Sequence, residues 1–285
     1  MTGFFQSGPV HVALAAGAVT AVVSGVVGVL VVVRGQSFAG HALGDLGTLG
    51  GSGAFLAQVS PLWGFVGVGA VVAGAMELFG VQRRRGRDVA TGVVLGAALG
   101  VSALLLYLDT TSTSTAGATV TVLFGSLFAA SPASVPEMAG LGALGLVALA
   151  VVYRPLLLSS VHPELASARG VPVRSVAFGF LVLVGVTVSL TSMVVGTILS
   201  PALLVGPAAC ALRVSRRPPV AMVVAAGVGL AATWAGVALA YASYRWPPSH
   251  SGWPISFFIV AIVFVAFLAV ELPSRIRRRR APGGA

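Results

Sequence analysis

Two ionisable side chains able to bind metal, His41 and Asp45, lie four residues apart in an apolar stretch of the chain. On an α-helix this spacing places both side chains on one face, one turn apart. An imidazole nitrogen and a carboxylate oxygen together suit zinc, manganese or ferrous iron better than calcium or copper(I). Because ionisable groups are costly inside a membrane, they mark an ion site or pathway there by default. The competing interpretation is a hydrogen bond between helices or a helix cap near the membrane boundary.

Two ligands are too few for a specific metal site, so other groups must complete it. If two copies of the chain meet along this helix, two histidines and two aspartates come together on their common axis. Six glycines lie around the pair between positions 40 and 53, and a helix with such small side chains packs closely against its neighbours. The rest of the chain is then expected to be a scaffold that holds the pair within a bilayer.

The composition is that of a membrane protein. Of 285 residues, 57% are hydrophobic and 8% are charged, and the mean hydropathy is +1.00. Water-soluble domains of this length carry far more charge. The apolar runs are about 20 residues long and do not alternate, which predicts membrane-spanning helices and excludes a β-barrel. We therefore expect an all-α bundle that forms a single transmembrane domain over residues 1–285.

Nine apolar runs are expected to cross the membrane, within a range of eight to ten. They cover residues 10–33, 38–58, 62–81, 89–108, 135–152, 176–193, 194–212, 220–242 and 254–272. A further run, 116–130, is short for a span and is expected to be re-entrant or to lie on the membrane surface. The polar run before it, 109–115, is expected to be an external loop.

The chain contains seventeen arginines and no lysine. With nine spans and the N-terminus outside, every arginine except Arg245 falls on the cytoplasmic side, as the positive-inside rule requires. The C-terminus and a basic tail, residues 275–285, are then cytoplasmic. Because the arginines lie in short loops between spans, the net charge of +10 sets orientation and does not indicate nucleic-acid binding. The first apolar run follows no basic segment, so we expect a retained helix and no cleaved signal peptide.

The longest cytoplasmic loop, residues 156–174, contains a predicted short helix. Pro163 suits the first helical turn, Glu164 suits the positive end of the helix, and Gly170 suits a C-terminal cap. Such a helix is either a connector or a docking site for a soluble partner, and the sequence favours neither.

Prolines and glycines shape two further spans. Pro201 and Pro207 fall in the seventh predicted span, so that helix is expected to be bent or broken, with free carbonyl groups that can line a path. Gly92, Gly96 and Gly100 form a small-residue stripe in the fourth span, which predicts close contact with another helix.

The other ionisable residues are expected to be less informative. Glu77 and Glu271 lie near arginines at cytoplasmic span ends and are expected to form interfacial ion pairs. His11 and His250 lie near the outer face and are expected to be solvated. Cys210 is the single cysteine, so no disulfide can form within the chain.

Transport is a better interpretation than catalysis. A chain without lysine cannot form a P-loop, so ATP hydrolysis would come from another chain. No nucleophile, base and acid form a recognisable set, which leaves an intramembrane enzyme without support. A carrier driven by an ion gradient should show internal repeats and several intramembrane carboxylates, whereas only Asp45 lies well inside a span.

Seven segments, in order along nearly the whole chain, carry a family resemblance. They are residues 37–45, 86–94, Leu-Phe-Gly-Ser-Leu at 123–127, His-Pro-Glu-Leu-Ala at 162–166, 169–173, 194–196 and 207–209. Together they resemble the membrane permeases of the ABC-3 family, which belong to import complexes for zinc, manganese and ferrous iron. The family has an aspartate followed by a histidine in the first segment, whereas this chain has His41 before Asp45.

The resemblance implies a homodimeric permease of the inner (cytoplasmic) membrane that binds no cofactor of its own. Metal would arrive from an extracytoplasmic binding protein and pass between the two subunits along His41 and Asp45. Two separate ATPase subunits would dock at the short helix, through His162, Pro163, Glu164, Leu165, Ala166, Arg169 and Gly170. A permease for a metal chelate of the siderophore or cobalamin type is the alternative, but it needs a wider path than the glycine-rich second span allows.

Overall fold

The structure is a computed structural model that describes residues 7–78, 88–112, 117–125, 127–129, 131–246 and 252–280. These residues form eleven α-helices and one short 3-10 helix, Leu127–Ala129. The helices are α1 (Gly8–Val33), α2 (Ser37–Leu56), α3 (Pro61–Leu78), α4 (Asp88–Ser112), α5 (Ala118–Phe124), α6 (Ser134–Val161), α7 (Pro163–Ala168), α8 (Val173–Val195), α9 (Ser200–Val214), α10 (Pro218–Ser243) and α11 (Ile255–Arg280). The predicted all-α fold is confirmed.

Five helices are long and apolar enough to cross a membrane: α1, α6, α8, α10 and the part of α11 up to Pro273. Three shorter apolar stretches lie in α3, α4 and α9. Helix α2 belongs to neither group, because six glycines, His41 and Asp45 interrupt its apolar residues. These lengths and compositions establish a helical integral membrane protein.

Helices α1 and α8 form the centre of the bundle. Helix α1 packs against α6, α8, α9 and α10, and α3 packs between α2 and α8. The core side chains Leu30 of α1, Phe180 of α8 and Leu204 of α9 are fully buried. The core therefore brings together described helices from both halves of the chain.

Glycines allow the closest helix approaches. A Cβ atom on Gly28 of α1 would collide with the main-chain oxygen of Leu204 in α9. Likewise, a Cβ atom on Gly50 of α2 would collide with the main-chain oxygen of Gly64 in α3. At these contacts two backbones touch with no side chain between them, as small residues permit in membrane helices.

The glycine stripe predicted for close contact in α4 makes none within this chain. No atom of the described part of the chain lies within 4 Å of where a Cβ atom would stand on Gly96 or Gly100, and both residues are exposed. Gly92 lies among residues whose side-chain surroundings are not described. Within the described residues the predicted contact is therefore absent at Gly96 and Gly100, because the spacing of small residues shows which face permits close packing but not whether a neighbour of the same chain occupies it.

Three predicted helix ends were also wrong. Helix α4 continues through the polar run to Ser112 and buries Asp109 completely, and residues 113–116 lie outside the description. Helix α6 runs past residue 152 and through Pro155, which puts the first residues of the predicted 156–174 loop inside a helix. Helix α11 passes Pro273, so the first part of the basic tail is helical. A proline removes one hydrogen bond, and a long helix packed against others tolerates that loss.

Candidate metal site

His41 and Asp45 lie on one face of α2, as their spacing predicted. The Nε2 atom of His41 is 3.5 Å from Oδ2 of Asp45. The His41 side chain is 50% exposed and that of Asp45 is 20% exposed. The pair therefore opens to the outside of the subunit near the beginning of α2, where an ion or a second chain can reach it.

Glycines hold the opposite side of this segment against the bundle. A Cβ atom on Gly40 would lie 2.8 Å from Cδ2 of Leu204, and one on Gly44 would lie 3.0 Å from Oγ of Ser200. Both contacts are with α9. Small residues on one side of α2 thus fix the helix close to α9 and turn His41 and Asp45 away from it.

Two hydroxyl residues, Thr48 and Ser52, continue the polar face of α2 beyond the pair. They follow His41 by seven and eleven residues, which returns each to the same side of a helix. Both are buried, and Thr48 Oγ1 lies 3.0 Å from Oγ of Ser102 on α4. Neither residue was predicted from the sequence, although the helical period of the pair itself pointed to both.

The break between α8 and α9 lies at a glycine, not at a proline. Helix α8 continues to Val195, Gly196 has a φ of +87°, and α9 begins at Ser200. Pro201 stands in the first turn of α9, and Pro207 lies within the helix. The break expected at the two prolines is absent, since α9 runs without interruption from Ser200 to Val214, and residues 196–199 instead separate α9 from α8.

The backbone at a second glycine, Gly125, passes directly against the segment between α8 and α9. Gly125 has a φ of +77° and ends α5. The main-chain N–H of Thr197 donates to the carbonyl oxygen of Val122 at 3.1 Å, and the N–H of Ile198 donates to that of Leu123 at 3.4 Å. The carbonyl groups at the C-terminal end of α5 therefore accept hydrogen bonds from the N–H groups of the segment between α8 and α9.

The predicted short helix is present as α7, and its caps are those that the sequence indicated. Pro163 occupies the first turn, and Gly170 has a φ of +77°. The N–H of Gly170 donates to the carbonyl of Ser167, and the N–H of Val171 donates to that of Ala166, both at 3.0 Å. This pattern is a Schellman motif, which needs a residue such as glycine in the left-handed conformation.

Helix α7 presents most of its predicted docking residues to solvent. Ala166 is buried. The other six are exposed: His162, Pro163, Glu164, Leu165, Arg169 and Gly170. The helix is thus anchored through one small side chain, and the rest of its surface is exposed.

Arg34 connects the end of α1 to the helix that leads into α7. Its guanidinium donates to the carbonyl oxygen of Leu156 at 3.3 Å and to Oγ of Ser160 at 2.7 Å. It also lies 5.3 Å from the centre of the Phe180 ring in α8, within the range of a cation–π contact. Gly35 follows at once with a φ of +66°, and α2 begins two residues later.

The described residues contain no group of three or more histidine, cysteine, aspartate or glutamate side chains placed to hold a metal. His41 and Asp45 supply two ligands from this chain. Elsewhere, Arg213 pairs with the buried Glu271 at 3.1 Å, which confirms one predicted interfacial ion pair. His11 is exposed as expected, while His250 and the side chain of Glu77 lie outside the description.

Comparisons with known proteins agree with this architecture. The manganese transport system membrane protein MntC of Halalkalibacterium halodurans is 30% identical over 79% of this chain and 76% of its own length. The high-affinity zinc uptake system membrane protein ZnuB of Haemophilus influenzae is 26% identical over 72% of this chain and 78% of its own. The solved structure of PsaBC from Streptococcus pneumoniae in complex with Fab has a similar fold, with a TM-score of 0.81 and 24% identity over 94% of this chain and 93% of that one. The model of the ABC 3 transport family matches residues 8–271, and the chain belongs to that family.

Proposed function

We propose that this chain is the transmembrane permease subunit of an ATP-binding cassette importer that moves a divalent transition metal ion into the cell. The observation that carries the proposal is the open pair of His41 and Asp45 on α2. Membership of the ABC 3 transport family supports it, as do the manganese and zinc systems named for the relatives. The ligand types suit manganese, zinc and ferrous iron alike.

The working unit is a homodimer in this proposal. Two ligands cannot complete a tetrahedral or octahedral site, and the described residues add no third one nearby. A second copy meeting the exposed side of α2 contributes its own His41 and Asp45. The exposed glycines of α4, Gly96 and Gly100, leave room for such a neighbour.

Two ATPase subunits dock at α7 in the proposed complex. Six exposed docking residues and a rigid C-terminal cap support this role. Helix α6 reaches α7 through a single residue, His162, and Arg34 ties the end of α6 to the segment before α2. A displacement of α7 can therefore be transmitted to the helix that carries His41 and Asp45.

The proposed topology has nine spans in the inner (cytoplasmic) membrane: α1 to α4, α6, and α8 to α11. Helix α5 and the 3-10 helix form the re-entrant segment on the outer side. The N-terminus lies outside and the C-terminus inside, because this orientation leaves only Arg245 among seventeen arginines on the outer face. An extracytoplasmic binding protein delivers the metal to that face.

The test is metal uptake by proteoliposomes that contain the chain with its cognate ATPase and binding protein. Manganese, zinc and ferrous iron are offered separately to the native chain, to His41→Ala and to Asp45→Asn. We expect uptake of one metal to fall more than about tenfold in both variants, because losing groups that only orient ligands already costs 10- to 100-fold. ATP hydrolysis should continue, since neither residue is among those proposed to bind the ATPase.

The matched control is His11→Ala, which removes an exposed histidine from α1 and should leave uptake unchanged. Native-level uptake in both His41→Ala and Asp45→Asn would reject the pair as the transit site. No uptake of any of the three metals by the native complex would reject the proposed function itself.

A further inference from the structure

An exposed aromatic residue, Phe38, lies one turn before the metal pair on α2. Phe38 is 61% exposed, and of the twenty residues of α2 only Phe38 and His41 are exposed. Phe38 precedes His41 by three residues and Asp45 by seven, so the three side chains lie along one face of the helix. The opening that makes the metal pair accessible therefore also contains an apolar ring.

The turn before α2 fixes the position of Phe38. The N–H of Gln36 donates to the carbonyl oxygen of Val31 at 2.8 Å, and the N–H of Gly35 donates to that of Val32 at 3.0 Å. Together with the φ of +66° at Gly35, these bonds form a Schellman motif that ends α1. Phe38 follows this motif by two residues, so its position is coupled to the end of α1.

The face that carries Phe38 is unsuited to lipid. A carboxylate and an imidazole are costly against hydrocarbon, so the face of Asp45 and His41 borders water or protein. In the proposed homodimer it borders a second copy of α2. A residue close to a two-fold axis meets its own counterpart, and two phenylalanine rings that meet form a favourable aromatic pair.

We propose that Phe38 and its counterpart in a second copy form an apolar barrier on the cytoplasmic side of the metal pair. This inference rests on the proposed function, to which it adds the element that retains the ion. In the proposed topology α2 begins at the cytoplasmic side, so Phe38 lies between the pair and the cytoplasm. Seven residues of helix separate Phe38 from Asp45 by about 10 Å along the axis. Apolar constrictions in a pathway stop ions by excluding water.

Arg34 connects this barrier to the proposed docking site of the ATPase. It is the C-cap of α1, four residues before Phe38, and its guanidinium donates to Leu156 and Ser160 at the end of α6. Helix α7 follows α6 after a single residue. A displacement of α7 therefore reaches Phe38 through Arg34 and the turn, and it opens the barrier when the ATPase moves α7.

The first experiment tests whether two copies of Phe38 meet. Because Cys210 is the single cysteine of the chain, Phe38→Cys in a Cys210→Ser background leaves one thiol per chain. In the complex with the cognate ATPase in nanodiscs, we expect a short homobifunctional maleimide to join two chains. Phe264→Cys in the same background is the matched control, since Phe264 is 58% exposed on α11, which packs against α8, α9 and α10. It should give no cross-linked pair.

The mass of the complex separates the two ways in which this experiment can fail. Two copies of the chain without a cross-link at position 38 would overturn the barrier and leave the proposed homodimer intact. One copy per complex would overturn both. Because cross-linking needs no metal, it gives its answer even if the complex imports none of the three metals.

The second experiment measures whether Phe38 shields the metal pair from the cytoplasm. In the Cys210→Ser background, Asp45→Cys is labelled in inside-out vesicles by a charged thiol reagent, without nucleotide and with a non-hydrolysable ATP analogue. We expect protection in one of these states. Phe38→Ser should speed labelling in that state about tenfold or more, as the loss of a buried aromatic side chain predicts. Phe38→Leu keeps an apolar side chain and should preserve the protection, as should the control Phe264→Ser.

A purely structural role of Phe38 would give a different pattern. Loosened packing of α2 would raise the labelling of Asp45→Cys in both nucleotide states alike, whereas loss of a barrier raises it only in the protected state. A uniform rise in Phe38→Ser would therefore overturn the proposal, and so would equal labelling of all variants in both states.

Discussion

Helix α1 and helix α4 both carry glycines at helical spacing, yet their surroundings are opposite. Gly28 of α1 lies against the backbone of α9, with no room for a Cβ atom, whereas Gly96 and Gly100 of α4 face open space. The first region is a rigid scaffold completed within one chain. The second lies on α4, which packs beside α2, and in the proposed homodimer a second subunit covers it. Small residues thus serve a closed interface in one place and an open one in the other.

The largest effect is expected from placing the same methyl group in both regions. Gly28→Ala forces α1 and α9 apart and should destabilise the protein by about 1–3 kcal/mol or more, as overpacking does. Gly96→Ala adds a good helix former in open space and should be neutral or stabilising by up to about 1 kcal/mol. Thermal unfolding of each variant in detergent, followed by size-exclusion chromatography, measures the difference. Equal losses in the two variants would contradict the contrast.

A single helix offers a sharper form of the same test. On α2, a Cβ atom on Gly50 would collide with the backbone of α3, while one on Gly53 meets only Cδ1 of Leu105, at 3.9 Å. Gly50→Ala should therefore lower the midpoint of thermal unfolding, with a cost of about 1–3 kcal/mol, and Gly53→Ala should not. If Gly53→Ala were the more damaging change, the α4 side of α2 would be the tighter one.

Arg34 links the scaffold helix α1 to α2, since it caps α1 and α2 begins at Ser37. Arg34→Gln removes charged hydrogen bonds to α6, each worth about 1.5–3 kcal/mol, and loosens the connection from α7 to α2. We expect uptake per ATP hydrolysed to fall several-fold while ATP hydrolysis persists, measured together in proteoliposomes. Arg154→Gln removes an exposed arginine of α6 and should leave that ratio unchanged. A parallel loss of both activities in Arg34→Gln would mean that Arg34 only stabilises the fold.

The smallest effect concerns the cap of α7. Gly170→Ala places a side chain in the left-handed conformation, at a local cost of about 1–2 kcal/mol, and should weaken binding of the ATPase subunit. Gly179→Ala, in the open on α8, is the control. Titration of the ATPase against each variant in nanodiscs gives the affinities, and equal affinities would argue against docking at this cap.

Structural features that depend only on residues close together in the sequence were predictable. The caps of α7 follow from Pro163 and Gly170 themselves, and the shared face of His41 and Asp45 follows from the helical period. Features that depend on distant segments were not. The proline signal at Pro201 and Pro207 suggested a break within α9, but the crossing with Gly125 places it at Gly196. In the same way, the period of α2 places Thr48 on the same side as His41, but only the position of α4 brings Oγ1 of Thr48 to 3.0 Å from Oγ of Ser102.

The crossing of Gly125 and Gly196 has a consequence for how the sequence can change over time. A Cβ atom on Gly125 would collide with the carbonyl oxygen of Val194, and one on Gly196 would collide with that of Leu123. Each obstacle is main chain, which every amino acid carries, so no substitution elsewhere can make room. Each glycine is therefore required by the backbone of the other segment. Related sequences can replace either glycine only if both segments change conformation together.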